Sequence, residues 1–367
     1  MTDPRRGDGQ RPLVVMNAVP FVRPTTNPFL SQLLAAIPGD GVTTVPFSWR
    51  RVAAGRFDVL HLHWPENLLD GRPGPARTWW RRLRLLLLLA RLGLTRSVLV
   101  RTIHNVATHE ARAPVDRWLL GRLDARTAMW IRLNPHTPVP GARSRQEPAS
   151  RVIVHGHYRD VVPADAAVDA SPDSTTLASV AAEPVNLLTF GLLRRYKGIE
   201  HLVEEFAAVP GHGLRLRVMG KAADPELEAE LIALAGADHR VELALGYASD
   251  AALAASIRAA ELVVLPYRAM HNSGALLLAL SLDRPVLVPE NPVTADLARE
   301  VGAGWVRAYA GPLTSDVLAA AVADLRDGPP TGRPDLSARD WPAIGAQHRD
   351  AYRHAADPRH HRSGRTP

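Results

Sequence analysis

Short apolar runs recur along the chain, each closed by glycine or polar residues and followed by a stretch with helical spacing. This alternation predicts parallel strands covered by helices. In the first half the predicted strands are 13–16, 42–45, 59–62, 98–103, 129–131 and 152–154; in the second they are 186–190, 214–219, 241–243, 262–265, 285–288 and 304–306. Second-half helices are expected after Lys197, Pro225, Ser249, Ser273 and Thr294. Between the halves, 161–184 is rich in Pro, Asp, Ala and Ser and follows neither period, so it reads as a connection. The expected architecture is α/β, two doubly wound Rossmann-like domains facing a cleft, with ligands at strand carboxyl ends. The expected partition is a disordered start (1–11), an acceptor-side domain (12–165), a linker (166–184), a nucleotide-sugar-binding domain (185–335), a helix crossing back to the first domain (336–357) and a disordered tail (358–367).

With 46% hydrophobic and 22% charged residues over 367 positions, the chain has the composition of a soluble protein of two domains. Cysteine is absent, which excludes disulfide frameworks, thiolate metal sites and cysteine nucleophiles, and fits a reducing cytoplasm. The polar start lacks an apolar signal core. A formal charge of +7 invites a nucleic-acid reading, but the arginines are scattered and no aromatic-interleaved basic motif accompanies them. The densest stretch runs from Trp79 to Leu92, with paired tryptophans, arginines and a leucine run. It is far shorter than the roughly 20 apolar residues a span needs. It suits a helix lying against an anionic membrane surface, or a buried helix with a basic edge.

Among 44 Lys+Arg residues only Lys197 and Lys221 are lysines, and both fall in one segment that reads strand, glycine turn, helix. Gly191 allows the turn, and the helix start beyond it presents free amides and a positive dipole end. Arg194 and Lys197 add charge suited to a diphosphate. A second strand enters a helix through Tyr267, Asn272, Ser273 and Gly274. There Asn272 or Ser273 can cap the helix while Gly274 admits a close ligand. In the first half, histidines stand at strand ends: His61 and His63 before Trp64, His104 with Asn105 and His109, and His155 with His157. Neutral imidazoles there can orient a sugar hydroxyl or take its proton. No histidine pair with a carboxylate at helical spacing, and no Asp-x-Asp, indicates a metal site.

In this order the residues resemble the GT-B glycosyltransferases, and within them the large retaining family 4 of bacterial cell-surface glycan synthesis. The segment 190–200 is similar to the family's glycine, basic residue and Lys-Gly donor-phosphate motif, and 214–221 to its next strand and glycine, Gly220. The resemblance implies that Arg194 and Lys197 hold the donor diphosphate, that Tyr247 lies near the base, and that His104 faces the transferred sugar. It also places His155 where the acceptor domain closes. The chain departs from the family in one respect. Two glutamates eight positions apart are common in the 262–289 segment, and Met270 and Leu278 stand in their places.

The implied function is a metal-independent, cofactor-free transfer of a hexose from a UDP- or GDP-linked sugar to a glycan or lipid-linked glycan. Retention of configuration is expected, at the inner face of the cytoplasmic membrane. The residues assigned catalysis are His104, Arg194 and Lys197. Donor binding falls to Gly191, Arg194, Lys197, Gly220, Tyr247, Tyr267, Asn272, Ser273 and Gly274, and the acceptor side to His63, Trp64, Asn105, His109 and His155. Rival readings are an inactive scaffold of the same fold and a sugar-nucleotide epimerase of similar layout.

Overall fold

The computed structural model describes residues 11–18, 27–71, 74–104, 112–141, 148–162, 184–211, 213–268 and 270–357. The chain divides into two compact units, Met1–Gly156 with Ala338–Pro367, and His157–Ser337. The first holds β1 (Leu13–Asn17), α1 (Pro28–Ala36), β2 (Val42–Pro46), α2 (Trp49–Ala54), β3 (Val59–Leu62), α3 (Pro75–Leu94), β4 (Val98–Ile103), α4 (Pro114–Asp124), β5 (Thr127–Arg132) and β6 (Ser150–Val152). The second holds β7 (Val185–Phe190), α5 (Ile199–Ala208), β8 (Leu214–Gly220), α6 (Pro225–Gly236), β9 (Val241–Leu245), α7 (Asp250–Ala259), β10 (Leu262–Val264), α8 (Gly274–Ser281), β11 (Val286–Pro289), α9 (Pro292–Val301), β12 (Val306–Tyr309) and α10 (Ser315–Asp327). The chain then returns to the first unit as α11 (Trp341–Ala356).

Each unit is built on a six-stranded sheet, ordered β2-β1-β3-β4-β5-β6 and β12-β11-β10-β7-β8-β9. All neighbours run parallel. Alternate strand residues feed cores on opposite faces: Val15 packs with α1 and α11, whereas Met16 packs beneath α2 and α3. The second sheet is covered the same way, by one cluster containing Val263 and Leu280 and another containing Val264 and Phe206. The order reverses between β1 and β3 in one sheet and between β7 and β10 in the other, and such reversals open crevices at strand carboxyl ends. On α11 the buried positions include Trp341, Ile344, His348 and Tyr352, which pack against α1 and the sheet.

Several boundaries differ from the sequence reading. β6 begins at Ser150 rather than 152, and β12 begins at Val306 because Gly304, at φ +80°, turns the chain first. α9 starts before Thr294: Asn291 accepts from the amides of Val293 and Thr294 and closes a capping box with the Thr294 side chain. The first unit ends at Gly156, short of 165, because Tyr158 is buried in the second unit's core and its amide donates to Ser281 Oγ at 2.9 Å. The expected disordered start and tail and the linker lie outside the described residues, apart from Arg11 and Pro184.

Candidate functional site

In the second unit the turn after β7 sits tightly against the turn after β8. Gly191 has φ +111° and Gly220 φ +145°, and a Cβ at Gly220 would stand 1.8 Å from the Gly191 carbonyl oxygen. The Gly191 amide donates to Met219 O at 3.0 Å and the Leu193 amide to Lys221 O at 2.8 Å, which fixes the two turns together. Gly198, at φ +64°, begins α5 with no side-chain cap, so the helix's first amides stay available. The Lys197 ammonium lies over the Gly191 backbone and 5.0 Å from the Tyr267 ring centre. Its pKa is pulled down to about 8, first by burial and then by the charge of Arg194. A partly desolvated ammonium facing a like charge is a site short of an anion.

The loop after β10 completes this cradle. Tyr267 is buried, which raises its phenol pKa, and it hydrogen-bonds Ser273, whose Oγ also caps α8 by accepting from the Leu276 amide at 3.2 Å. A Cβ at Gly274 would meet the Tyr158 hydroxyl at 3.2 Å, so the start of α8 is closely covered there. Asn272 is partly buried in the same loop. Lys221, the other lysine, holds its ammonium 5.0 Å from the ring centre of Tyr247, which is 86% exposed. Both lysines thus sit on tyrosines, one within the cradle and one at its surface. Met270 is buried in the core and Leu278 packs against it, so both positions are filled as apolar contacts.

The first unit brings its histidines together. His63 Nδ1 and His104 Nε2 are 3.1 Å apart and share a hydrogen bond, and the Trp64 ring stacks on His104 at 4.1 Å and 23°. Phe29 stands among His63, His104 and His155 at 5.8, 5.3 and 4.5 Å between ring centres. Behind them, His61 bonds the Tyr352 hydroxyl and Thr102 Oγ1, each at 2.8 Å. Burial lowers the basicity of all these imidazoles, His63 to about 3 and His155 to about 4, and neighbouring histidines depress His61 and His104 further. They are held neutral. His155 Nδ1 donates to the Gly156 carbonyl at 2.7 Å. His157 falls in the other unit, and Asn105 and His109 lie outside the described residues.

His63 also lines a cavity of about 790 Å³ whose wall includes Trp49, Trp64, Asn67, Asp70, Arg81 and Arg84. Phe29, Trp49 and Asp70 were not singled out in the sequence, and Arg84 was read there only as part of the basic stretch from Trp79 to Leu92. Phe29 and Trp49 read there as ordinary apolar residues, and Arg112, the partner of Asp70, is 42 positions away in the chain. On α3, Leu85, Leu88, Leu89 and Leu92 are buried, while Trp79 (63% exposed), Trp80, Leu83, Leu86 and Leu87 face outward with Val115 and Trp118 of α4. Its inner face is that of a covered helix, and its outer face is an exposed apolar surface. Among the described residues no helix is long and apolar enough to cross a membrane, and no group of His, Asp or Glu is placed to hold a metal ion.

The family model for glycosyl transferases group 1 matches residues 184–327, the segment carrying the Lys197 cradle. Two sequences from Xanthomonas campestris pv. campestris, each a GDP-mannose:glycolipid 4-beta-D-mannosyltransferase, are 42% and 43% identical to this chain over 327 residues, covering 89% of it and 88% of theirs. Among solved structures, Anabaena HepE in complex with UDP and glucose aligns with a TM-score of 0.57 at 15% identity, over 96% of this chain and all of that one. Sucrose-phosphate synthase from Thermosynechococcus elongatus aligns with a TM-score of 0.57 at 16% identity, over 96% of this chain and 98% of that one. The fold of both units is therefore GT-B in kind, and the chain belongs to the group 1 glycosyl transferases.

Proposed function

We propose that this glycosyltransferase moves mannose from GDP-mannose to a hydroxyl of a glycolipid and forms a β-linkage. The observation that carries the reading is identity above 40% across nearly the whole chain with two enzymes of that name. The Lys197 cradle supplies the chemistry. Departure of GDP loads negative charge on the diphosphate, and Lys197, Arg194 and the amides at the starts of α5 and α8 are placed to stabilise it without a metal. Tyr247 offers an exposed ring on which the base can stack.

Stereochemistry follows from the bond being made. GDP-mannose carries its sugar α-linked, so a β-product requires inversion, in place of the retention that the family resemblance led us to expect. In an inverting transfer the acceptor oxygen attacks the anomeric carbon opposite the diphosphate, the carbon–oxygen bond to phosphate breaks with its electron pair leaving on GDP, and the acceptor proton needs a base of its own. The apolar filling at Met270 and Leu278 removes the glutamates common in retaining relatives, which favours this reading. The neutral His63–His104 pair, of which His63 lines the cavity, is our assignment for the proton acceptor. An attacking hydroxyl already bonded to an oxocarbenium-like carbon is a strong acid, so imidazoles of lowered basicity suffice.

The glycolipid acceptor gives the outward α3–α4 face its role: peripheral docking on an anionic membrane, with tryptophans at the headgroup level and arginines meeting phosphates. Thermal melting with GDP, GDP-mannose, UDP and UDP-glucose tests the donor assignment. Guanine ligands should raise the melting temperature of the native protein, and not that of Lys197→Met. A shift with UDP alone would sink it.

A further inference from the structure

The cradle uses one of the chain's two lysines; the other, Lys221, stands at its rim. Three neighbouring strands end in glycines, Gly191 after β7, Gly220 closing β8 and Gly246 after β9, at φ +111°, +145° and +115°. A Cβ at Gly220 would strike the Gly191 carbonyl, and the Gly246 amide donates to Gly220 O at 3.0 Å, so the three turns are tied in a row. Lys221 and Tyr247 directly follow the last two glycines, which fixes their backbones against the cradle. Tyr247 therefore stands two strand spacings from Gly191, about 10 Å, a distance that a nucleoside bridges between its phosphate and its base.

The side chains, in contrast, are free to move. Lys221 is exposed, pairs with no carboxylate among the described residues, and rests its ammonium 5.0 Å from the Tyr247 ring centre. A cation on an exposed ring is held weakly. A base that stacks on this ring takes that place and leaves the ammonium, on its flexible stem, at the edge of the base. There the purines differ. Guanine presents two adjacent acceptors, O6 and N7, to which one ammonium can donate, whereas adenine sets an amino donor beside N7 and turns it towards the cation. We propose that Lys221 determines the base specificity of the donor site: it leaves the Tyr247 ring when guanine stacks there and donates to O6 and N7. The proposal deepens the assignment of GDP-mannose as donor and rests on it.

Calorimetric titration of the intact protein with GDP, IDP, 7-deaza-GDP and ADP decides it. IDP keeps O6 and N7 and lacks only the 2-amino group, so it should bind nearly as tightly as GDP. 7-Deaza-GDP, without N7, and ADP, without O6, should bind about tenfold or more weakly. Lys221→Met should bring GDP and IDP down to the level of ADP, and Lys221→Arg, whose fork also fits O6 and N7, should keep the guanine preference. Lys197→Met should weaken all four diphosphates alike and leave their order unchanged. The side chain of Lys221 is exposed, so neither of its variants should lower the melting temperature. A preference for GDP over ADP that survives in Lys221→Met, or IDP binding as weakly as ADP, would overturn the proposal and leave the donor assignment standing. A wild-type protein without guanine preference would remove both.

Discussion

At Lys197 an ammonium buried beside the charge of Arg194 carries an electrostatic cost that the proposed diphosphate would remove. Burial and the Arg194 charge hold the ammonium near 8, and a bound diphosphate raises that value. Below pH 8 the lysine is charged with or without ligand, so GDP affinity should be flat. Above it the free protein must gain a proton to bind, and affinity should fall by about tenfold per pH unit until the complex itself titrates. Calorimetry from pH 6.5 to 9.5 reads this directly, and Lys197→Met should bind weakly with no such slope. A wild-type profile flat to pH 9.5 would contradict the assignment. Lys197, Gly191 and Arg194 were legible in the sequence because a glycine turn and its basic residues lie within a few positions. The hydrogen bond between His63 and His104 was not, since 41 residues separate them and only the pairing of β3 with β4 brings them together.

Elements set how closely those residues approach. The turn after β8 touches the turn after β7 only because Gly220 lacks a side chain, so Gly220→Ala must push the Gly191 backbone aside. The expected outcome is loss of the GDP-induced thermal shift together with a destabilisation of about 1–3 kcal/mol, from positive φ and backbone collision. A variant that melts and binds GDP like the wild type would show that the turns are not coupled as described. Ladder periodicity made nearly every strand legible, while the ends moved where capping intervened, as at Asn291, or where a glycine turn came first, as at Gly304. α3 carries apolar residues on two faces, and hydrophobic spacing alone does not say which face is covered. The burial of Leu85, Leu88, Leu89 and Leu92 settles that.

For the molecule as a whole, net positive charge and an exposed tryptophan-leucine face are the features that the proposed work on a lipid-borne substrate calls for. Flotation with vesicles rich in phosphatidylglycerol should recover the protein, and phosphatidylcholine vesicles should recover much less. Trp79→Ser combined with Trp118→Ser should reduce partitioning about tenfold or more, near 1.4 kcal/mol, without lowering the melting temperature, because both side chains are mostly exposed. Unchanged partitioning would remove α3 and α4 as the docking face. The architecture and the glycine turn that carries Lys197 were readable from the chain. The proposed donor and product configuration rest on contacts that no local pattern encodes. The measurement that tests the central claim most directly is the anomeric configuration of the product, read by nuclear magnetic resonance after GDP-mannose, carbon-13 labelled in the sugar, is incubated with the protein and membrane glycolipids. A β-mannoside on the glycolipid is the expected result; an α-mannoside, or transfer only from a uridine-linked donor, would contradict it.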